Sequence, residues 1–392
     1  MFAASLSFEE AQKEAISANR EALSSKAVLE NAREKEKAAR AALYPYVYAS
    51  GVYSRNGAQG LNSYDSYSYG VAASMPLLDT SLISAAKSAS LEAESAQASF
   101  DKIISEIKYS LRLSFAGIAQ AESEVEISLK NIERRKENLQ LLELKYKAGL
   151  ESKSALLETE TALKFAIWQH ETYIKNLKTA RRNLNLLLGR PVRRDDLEVK
   201  LPDVVIPPES VDLKSLIEKH YDLRIAHLKK ELAKEALKSA SNESMPRLSA
   251  DAYYGYAGRN LSSADSSRRA GISITLPLFS SGKIASQKRA AQFAFESSEL
   301  ELENLKDELY IKAEDAYMQW RQAYAYLEVA QSSLEASRLR AWLVRKQYLS
   351  GQSAYFEWRS VEDALIESEN ARVKADSSAY SAYAAFLKSI GE

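Results

Sequence analysis

A chain of 392 residues with 46% hydrophobic content can bury a large core or form several domains, and its 53 basic and 53 acidic residues cancel, so no global field draws nucleic acid to it. Nucleic acid is not an expected partner. With no cysteine there is no disulfide framework, thiolate nucleophile, cysteine-based zinc site or acylated N-terminal cysteine.

The start, Met1 to Phe8, lacks a charged segment followed by an apolar one, which suits either a cytosolic chain or one whose signal peptide has been removed. Leu6 to Ala42 reads as an amphipathic helix. Tyr44 to Tyr53 and Tyr64 to Met75 then hold seven tyrosines among small and apolar residues, which predicts strands over about 44–56 and 64–76, with a solvated turn at Asn56 to Ser63. Between Leu77 and Arg190 there is no proline, which permits very long helices. A first arm from about Thr80 to Lys147, with a seam of Val125, Leu129, Ile132, Leu139, Leu142 and Tyr146, would extend roughly 100 Å. Tyr146-Lys147-Ala148-Gly149 supplies a left-handed helix stop, the chain turns over 147–152, and a return arm runs from Lys153 to Leu188.

The same plan follows again, displaced by about two hundred residues. Pro45 recurs as Pro246, Pro76-Leu77 as Pro277-Leu278, Tyr146 and Gly149 as Tyr348 and Gly351, and Gly189 as Gly391. The second copy predicts a helix from Val211 to Glu243, strands over about 247–257 and 269–277 around a turn at Arg259 to Ser267, and an arm from Ser281 to Leu349. A turn at 350–353 and a return arm from Ala354 to Lys388 complete it. Its seam, Leu302, Leu305, Leu309, Ala313, Ala316, Trp320, Ala323, Leu327, Ala330 and Leu334, is that of a coiled coil. Residues 1–200 and 201–392 are accordingly expected to be two structural repeats. No run of about 18 apolar residues occurs anywhere in the chain, so no membrane-spanning helix is expected.

In the last strand Ala270, Ile272, Ile274 and Leu276 alternate with Gly271, Ser273 and Thr275, and Tyr69, Val71, Ala73 and Met75 hold the matching places in the first copy. Four strands in two hairpins are too few to close a barrel, whereas three chains would supply twelve. An apolar outside, a polar inside and clustered tyrosines suit a lipid-embedded barrel, with Val71, Ala73, Met75, Ile272, Ile274 and Leu276 toward lipid. A small soluble sheet capping a helical bundle has the same alternation.

The order helix, strand hairpin, long helix, glycine turn, return helix, written twice, resembles the TolC-type outer-membrane efflux proteins. Met75-Pro76-Leu77-Leu78-Asp79, Leu276-Pro277-Leu278-Phe279, the opening Leu6-Ser7-Phe8-Glu9-Glu10-Ala11 and the repeat ends at Gly189 and Gly391 carry the resemblance over nearly the whole chain. It implies a mainly α fold with a β portion: a coiled-coil α-barrel continued into a twelve-stranded transmembrane β-barrel shared by a homotrimer. A belt at Leu197 to Pro208 is implied too. The duct would sit in the outer membrane of a Gram-negative-type cell with most of the chain periplasmic. It would meet a periplasmic adaptor and an inner-membrane pump at its tip, hydrolyse nothing and carry no cofactor.

Two sets of site residues follow. Glu357, six positions past Gly351, matches a place where the family commonly carries an acidic residue, and carboxylates around a narrow axis form a cation-attracting ring. Ser360 stands where a second acidic residue is often found, and the first copy offers Ala155 and Glu158 at the two matching positions, so the expected periplasmic gate is Glu357, Ser360 and Glu158. The turns, with Gly149, Gly351, Tyr146 and Tyr348, are the expected adaptor-docking surface. His170, His220 and His227 lack metal-ligand spacing, no phosphate-binding loop occurs, and neither catalytic nor metal-binding residues are expected. A soluble coiled-coil scaffold without channel activity is the alternative, and it leaves the paired tyrosine-rich hairpins unexplained.

Overall fold

The computed structural model describes residues 6–57, 63–191, 199 and 205–392. The first half holds α1 (Phe8–Ala18), α2 (Arg20–Ala41), β1 (Tyr46–Asn56), β2 (Tyr64–Leu78), α3 (Thr80–Lys147) and α4 (Lys153–Leu187). The second holds α5 (Leu213–Ile217), α6 (Tyr221–Asn242), β3 (Arg247–Gly258), β4 (Asp265–Thr275), α7 (Lys283–Leu349) and α8 (Tyr355–Ser389). Most of the expected belt at Leu197 to Pro208 lies outside the described residues, as does the middle of the turn at Asn56 to Ser63.

The 68 residues of α3 and the 67 of α7 each rise through about 100 Å. The first arm has its expected bounds. The second starts two residues later than expected, at Lys283, because Ser281 and Gly282 have φ of 50° and 81°, outside the right-handed helical region. Along α7 the expected seam is buried or half-buried throughout and continues through Ala341, Val344 and Tyr348. Along α3 the expected seam needs correcting. Leu129 and Tyr146 are exposed, and the buried row passes through Glu124, Ser128, Asn131 and Asn138. Polar side chains occupy core positions there, which a search for apolar spacing does not detect.

Contacts divide the chain into two compact units, one of residues 1–25, 101–220 and 306–392 and one of 26–100 and 221–305. Each draws on both halves of the sequence. In the first unit, Ala11, Ala15, Ile107, Leu111, Phe115, Ile118, Leu184 and Leu188 form one core cluster. A second gathers Leu142, Ala155, Leu334, Ala341, Val344, Tyr348, Trp358, Val361 and Leu365.

The expected single helix over Leu6 to Ala42 is broken at Asn19. Its amide Nδ2 donates to the Leu187 carbonyl at 2.8 Å, while its Oδ1 accepts from the backbone N–H groups of Glu21 (2.8 Å) and Ala22 (3.2 Å). One side chain thus satisfies the end of α4 and the start of α2, as a cap must. The expected helix over Val211 to Glu243 breaks likewise, between α5 and α6, where Gly391 packs against the buried His220.

In the second unit the two expected hairpins, β1–β2 and β3–β4, lie in one antiparallel sheet in the order β1-β2-β3-β4. Pairing of β2 with β3, Tyr67 against Gly258 through Met75 against Ala250, joins the copies. The register slips between Pro76 and Leu78, as expected where a proline cannot donate to the ladder. β4 begins at Asp265, inside the expected turn, since its polar run pairs with Ala257 and Tyr256. The Gly70–Gly255 pair lies so close that a Cβ on Gly70 would stand 2.5 Å from the Tyr254 carbonyl oxygen.

Candidate functional site

Both hairpin turns are built alike. Gly149 (φ 74°) donates to the Tyr146 carbonyl at 3.0 Å and Leu150 N–H to the Lys145 carbonyl at 2.9 Å. Gly351 (φ 80°) donates to Tyr348 at 3.2 Å and Gln352 to Gln347 at 2.8 Å. These paired bonds are Schellman caps. Nothing lies within 4 Å of where a Cβ would stand at either glycine, so only the sign of φ demands glycine there.

Of the four expected docking residues, Gly149, Gly351 and Tyr146 are exposed. Tyr348 is 1% exposed and holds the turns together from within. Its ring stacks on Trp358 with centroids 4.5 Å apart, its hydroxyl donates to Glu151 Oε1 at 2.7 Å, and Lys145 Nζ donates to its carbonyl at 2.8 Å. Burial, and then the bond to Glu151, pushes the Tyr348 hydroxyl well above the usual phenol range.

Glu357 and Ser360 are both exposed on α8, and Ser353 Oγ donates to Glu357 Oε2 at 2.8 Å. Glu158, on α4, is ion-paired with Arg359, whose Nε lies 3.8 Å from Asp363 Oδ2. Asp363 also receives Arg135 from α3. The Thr159 and Tyr355 hydroxyls are 2.7 Å apart, Arg345 meets Glu137 at 3.0 Å, and Arg134 donates to both Glu369 carboxylate oxygens, at 3.3 and 2.5 Å. These bonds tie the α3–α4 hairpin to the α7–α8 hairpin along a groove of about 960 Å³ that Glu158, Arg359 and Asp363 help to line. Arg359, Asp363, Thr159 and Tyr355 are not among the expected site residues. The signal was the equivalence of Glu158 with Ser360: copies packed side by side bring Glu158 next to Arg359.

The sheet register sorts the strands into two faces. Val47, Ala73, Ala252 and Ala270 lie in one row, and Ala49, Val71, Tyr254 and Arg268 in the next. Met75, Ala250 and Ile272 continue this face, and Ile272 and Ile274 are 71% and 68% exposed. Leu276, also exposed, follows the end of β4. The opposite face carries Ser50, Ser68, Ser74, Asp251 and a Ser249–Ser273 hydroxyl pair at 2.8 Å. Strands of 11 to 15 residues are long enough to cross a bilayer, which takes about 9–11 tilted residues. Among the described residues, the outer edges of β1 and β4 have no partner strand.

Long helical hairpins joined to a four-stranded sheet with one apolar and one polar face define the protomer of a channel that combines an α-barrel with a β-barrel. Solved structures agree: the outer-membrane channel OprN (20% identity, TM-score 0.88, 98% of this chain and 89% of that one), CusC (16%, 0.90, 100% and 93%) and the outer membrane protein VceC of Vibrio cholerae (17%, 0.87, 98% and 96%) share the fold. The alkaline protease secretion protein AprF of Pseudomonas aeruginosa is 22% identical over 326 residues, 80% of this chain and 67% of its own length. The chain belongs to the outer membrane efflux protein family, whose model matches residues 11–190 and again 213–392. It is an outer-membrane exit duct component of the kind that works in tripartite systems.

Proposed function

We propose that three copies of this chain close a twelve-stranded barrel in the outer membrane of a Gram-negative-type cell. Their helices continue it as a periplasmic duct that passively conducts cargo from an inner-membrane pump. The observation that carries this reading is the open sheet: four strands alternate in direction, so β4 of one copy can pair antiparallel with β1 of the next, and closure removes every edge. The apolar face then meets lipid and the serine-rich face lines the lumen. Residues 1–200 and 201–392 act as two repeats of one unit. A periplasmic adaptor docks on the exposed turns at Gly149, Gly351 and Tyr146. Glu357 faces the tip aperture with Ser360 beside it, and the Glu158–Arg359 pair restrains the two hairpins of each protomer.

The mass of the full-length protein extracted from cell envelopes in mild detergent tests the reading. A three-chain particle that needs detergent to stay dispersed is expected. A monomer or dimer soluble without detergent would overturn the duct and favour a coiled-coil scaffold.

A further inference from the structure

On the apolar face of the sheet the charged residues are unequally matched. Near the β1–β2 turn Arg55 faces Asp65 at 3.9 Å, and Tyr53 donates to the same carboxylate at 3.1 Å. Arg268 is exposed on that face, directly across from Tyr254, and has no carboxylate within ion-pair distance among the described residues. The next residue, Arg269, points to the opposite face with Tyr253.

Two features surround Arg268. Toward the strand turns lies an aromatic row, with Tyr69 and Tyr256 stacked at 5.6 Å and Tyr254 edge-on to Tyr256 at 6.4 Å. Toward the helices the row of Ala73, Ala252 and Ala270 leaves a hollow of about 510 Å³, with Val71, Tyr254 and Arg268 on its upper rim. A second hollow of about 530 Å³ continues it past Met75, Ala250 and Ile272. A cation level with an aromatic girdle, above a track too shallow to be a core and lined by alanine, matches a lipid whose phosphate sits at the headgroup level and whose acyl chain lies on the wall.

We propose that Arg268 and the alanine track form a specific site for a phosphorylated glycolipid of the outer leaflet, a lipid A-type molecule, on each protomer of the duct. Arg268 holds a lipid phosphate by a charge-assisted hydrogen bond, and the track between the Tyr254 and Met75 rows takes an acyl chain. The outer leaflet is assigned because Arg268 lies near the β3–β4 turn, at the strand ends that do not lead into helices. The site rests on the barrel reading.

The test reconstitutes the full-length protein in phosphatidylcholine nanodiscs doped with lipid A and reads retained lipid by native mass spectrometry. Wild type, Arg268→Lys and Arg247→Gln, the last on the opposite face and outside both hollows, should retain lipid A equally, and Arg268→Gln about fivefold less, the effect of one cation at a lipid surface. Equal retention by Arg268→Gln, or preference of the wild type for phosphatidylglycerol over lipid A, would overturn the site while leaving the barrel intact. Failure of the wild type to enter the discs would instead sink the barrel and the site with it.

Discussion

Removing the ion pair between Glu158 and Arg359 should loosen the tip. Both side chains are partly open to water, 46% and 37% exposed, so their direct attraction is worth about 0.2–1 kcal/mol. Arg359 also lies 3.8 Å from Asp363, but Arg135 still serves Asp363 when Arg359 is lost, so Arg359→Gln removes little more than Glu158→Gln. At the upper limit of about 1 kcal/mol, either single substitution raises the ratio of open to closed duct about fivefold. Single-channel recording of the purified protein in planar bilayers reads that ratio directly. The double variant, Glu158→Gln with Arg359→Gln, should cost little more than either single one, and the coupling should shrink between 0.1 M and 1 M salt as the screening length falls from about 10 to about 3 Å. Additive single and double effects, or a coupling indifferent to salt, would refute the idea that this pair restrains the hairpins.

Glu357→Gln should weaken block by divalent cations and change conductance in the same bilayers, whereas unchanged block would remove Glu357 from the aperture. Gly351→Val or Gly149→Val should impair export in cells while the trimer still assembles on native gels, since each turn has room for a side chain but the wrong sign of φ for one; loss of the trimer would make the turns purely structural. Gly70→Val, with no space beside Tyr254 and Gly255, should block sheet formation and leave no detergent-stable trimer. Glu235 is buried in the second unit, and burial alone would push its carboxyl up, but Lys87 Nζ at 3.0 Å and Ser84 Oγ at 3.1 Å outweigh that and hold it below the ordinary range. Its stabilisation is therefore present above the unfolded carboxylate range and lost as pH falls through the lower folded value. In urea unfolding, Glu235→Gln should be less stable than wild type near about pH 7, with the gap closing toward about pH 3.

Much of the architecture was legible because it rests on local chemistry. A proline-free stretch with a glycine stop bounded α3 at about Thr80 to Lys147, and the strands were visible as period-two alternation, tyrosine-rich in β1, β2 and β3 and aliphatic in β4. What was not legible depends on distant partners. Asn19 is an ordinary polar residue within an amphipathic pattern until the carbonyl of Leu187 arrives beside it. The joining of β2 to β3 pairs residues nearly two hundred positions apart, and no hairpin turn announces it. Near the hairpin turns, Glu357, Glu158 and the two glycines are expected by counting from the glycine stops. Arg359 and Asp363 are not, because their partners Glu158 and Arg135 lie on the other hairpin, and the equivalence of Glu158 with Ser360 points only to the neighbourhood.

The interleaving of the two compact units bears on how the molecule comes to exist. The first unit is stitched by contacts such as the Ser105 hydroxyl donating to the Glu392 carbonyl at 3.2 Å, 287 positions away. Neither unit can be completed from one half of the chain, so a ribosome or translocon that has delivered only residues 1–200 has delivered two unfinished objects. Contacts of such long sequence separation close slowly. A chain in that state leaves apolar strands unpaired, the condition under which incompletely folded polypeptides associate with one another.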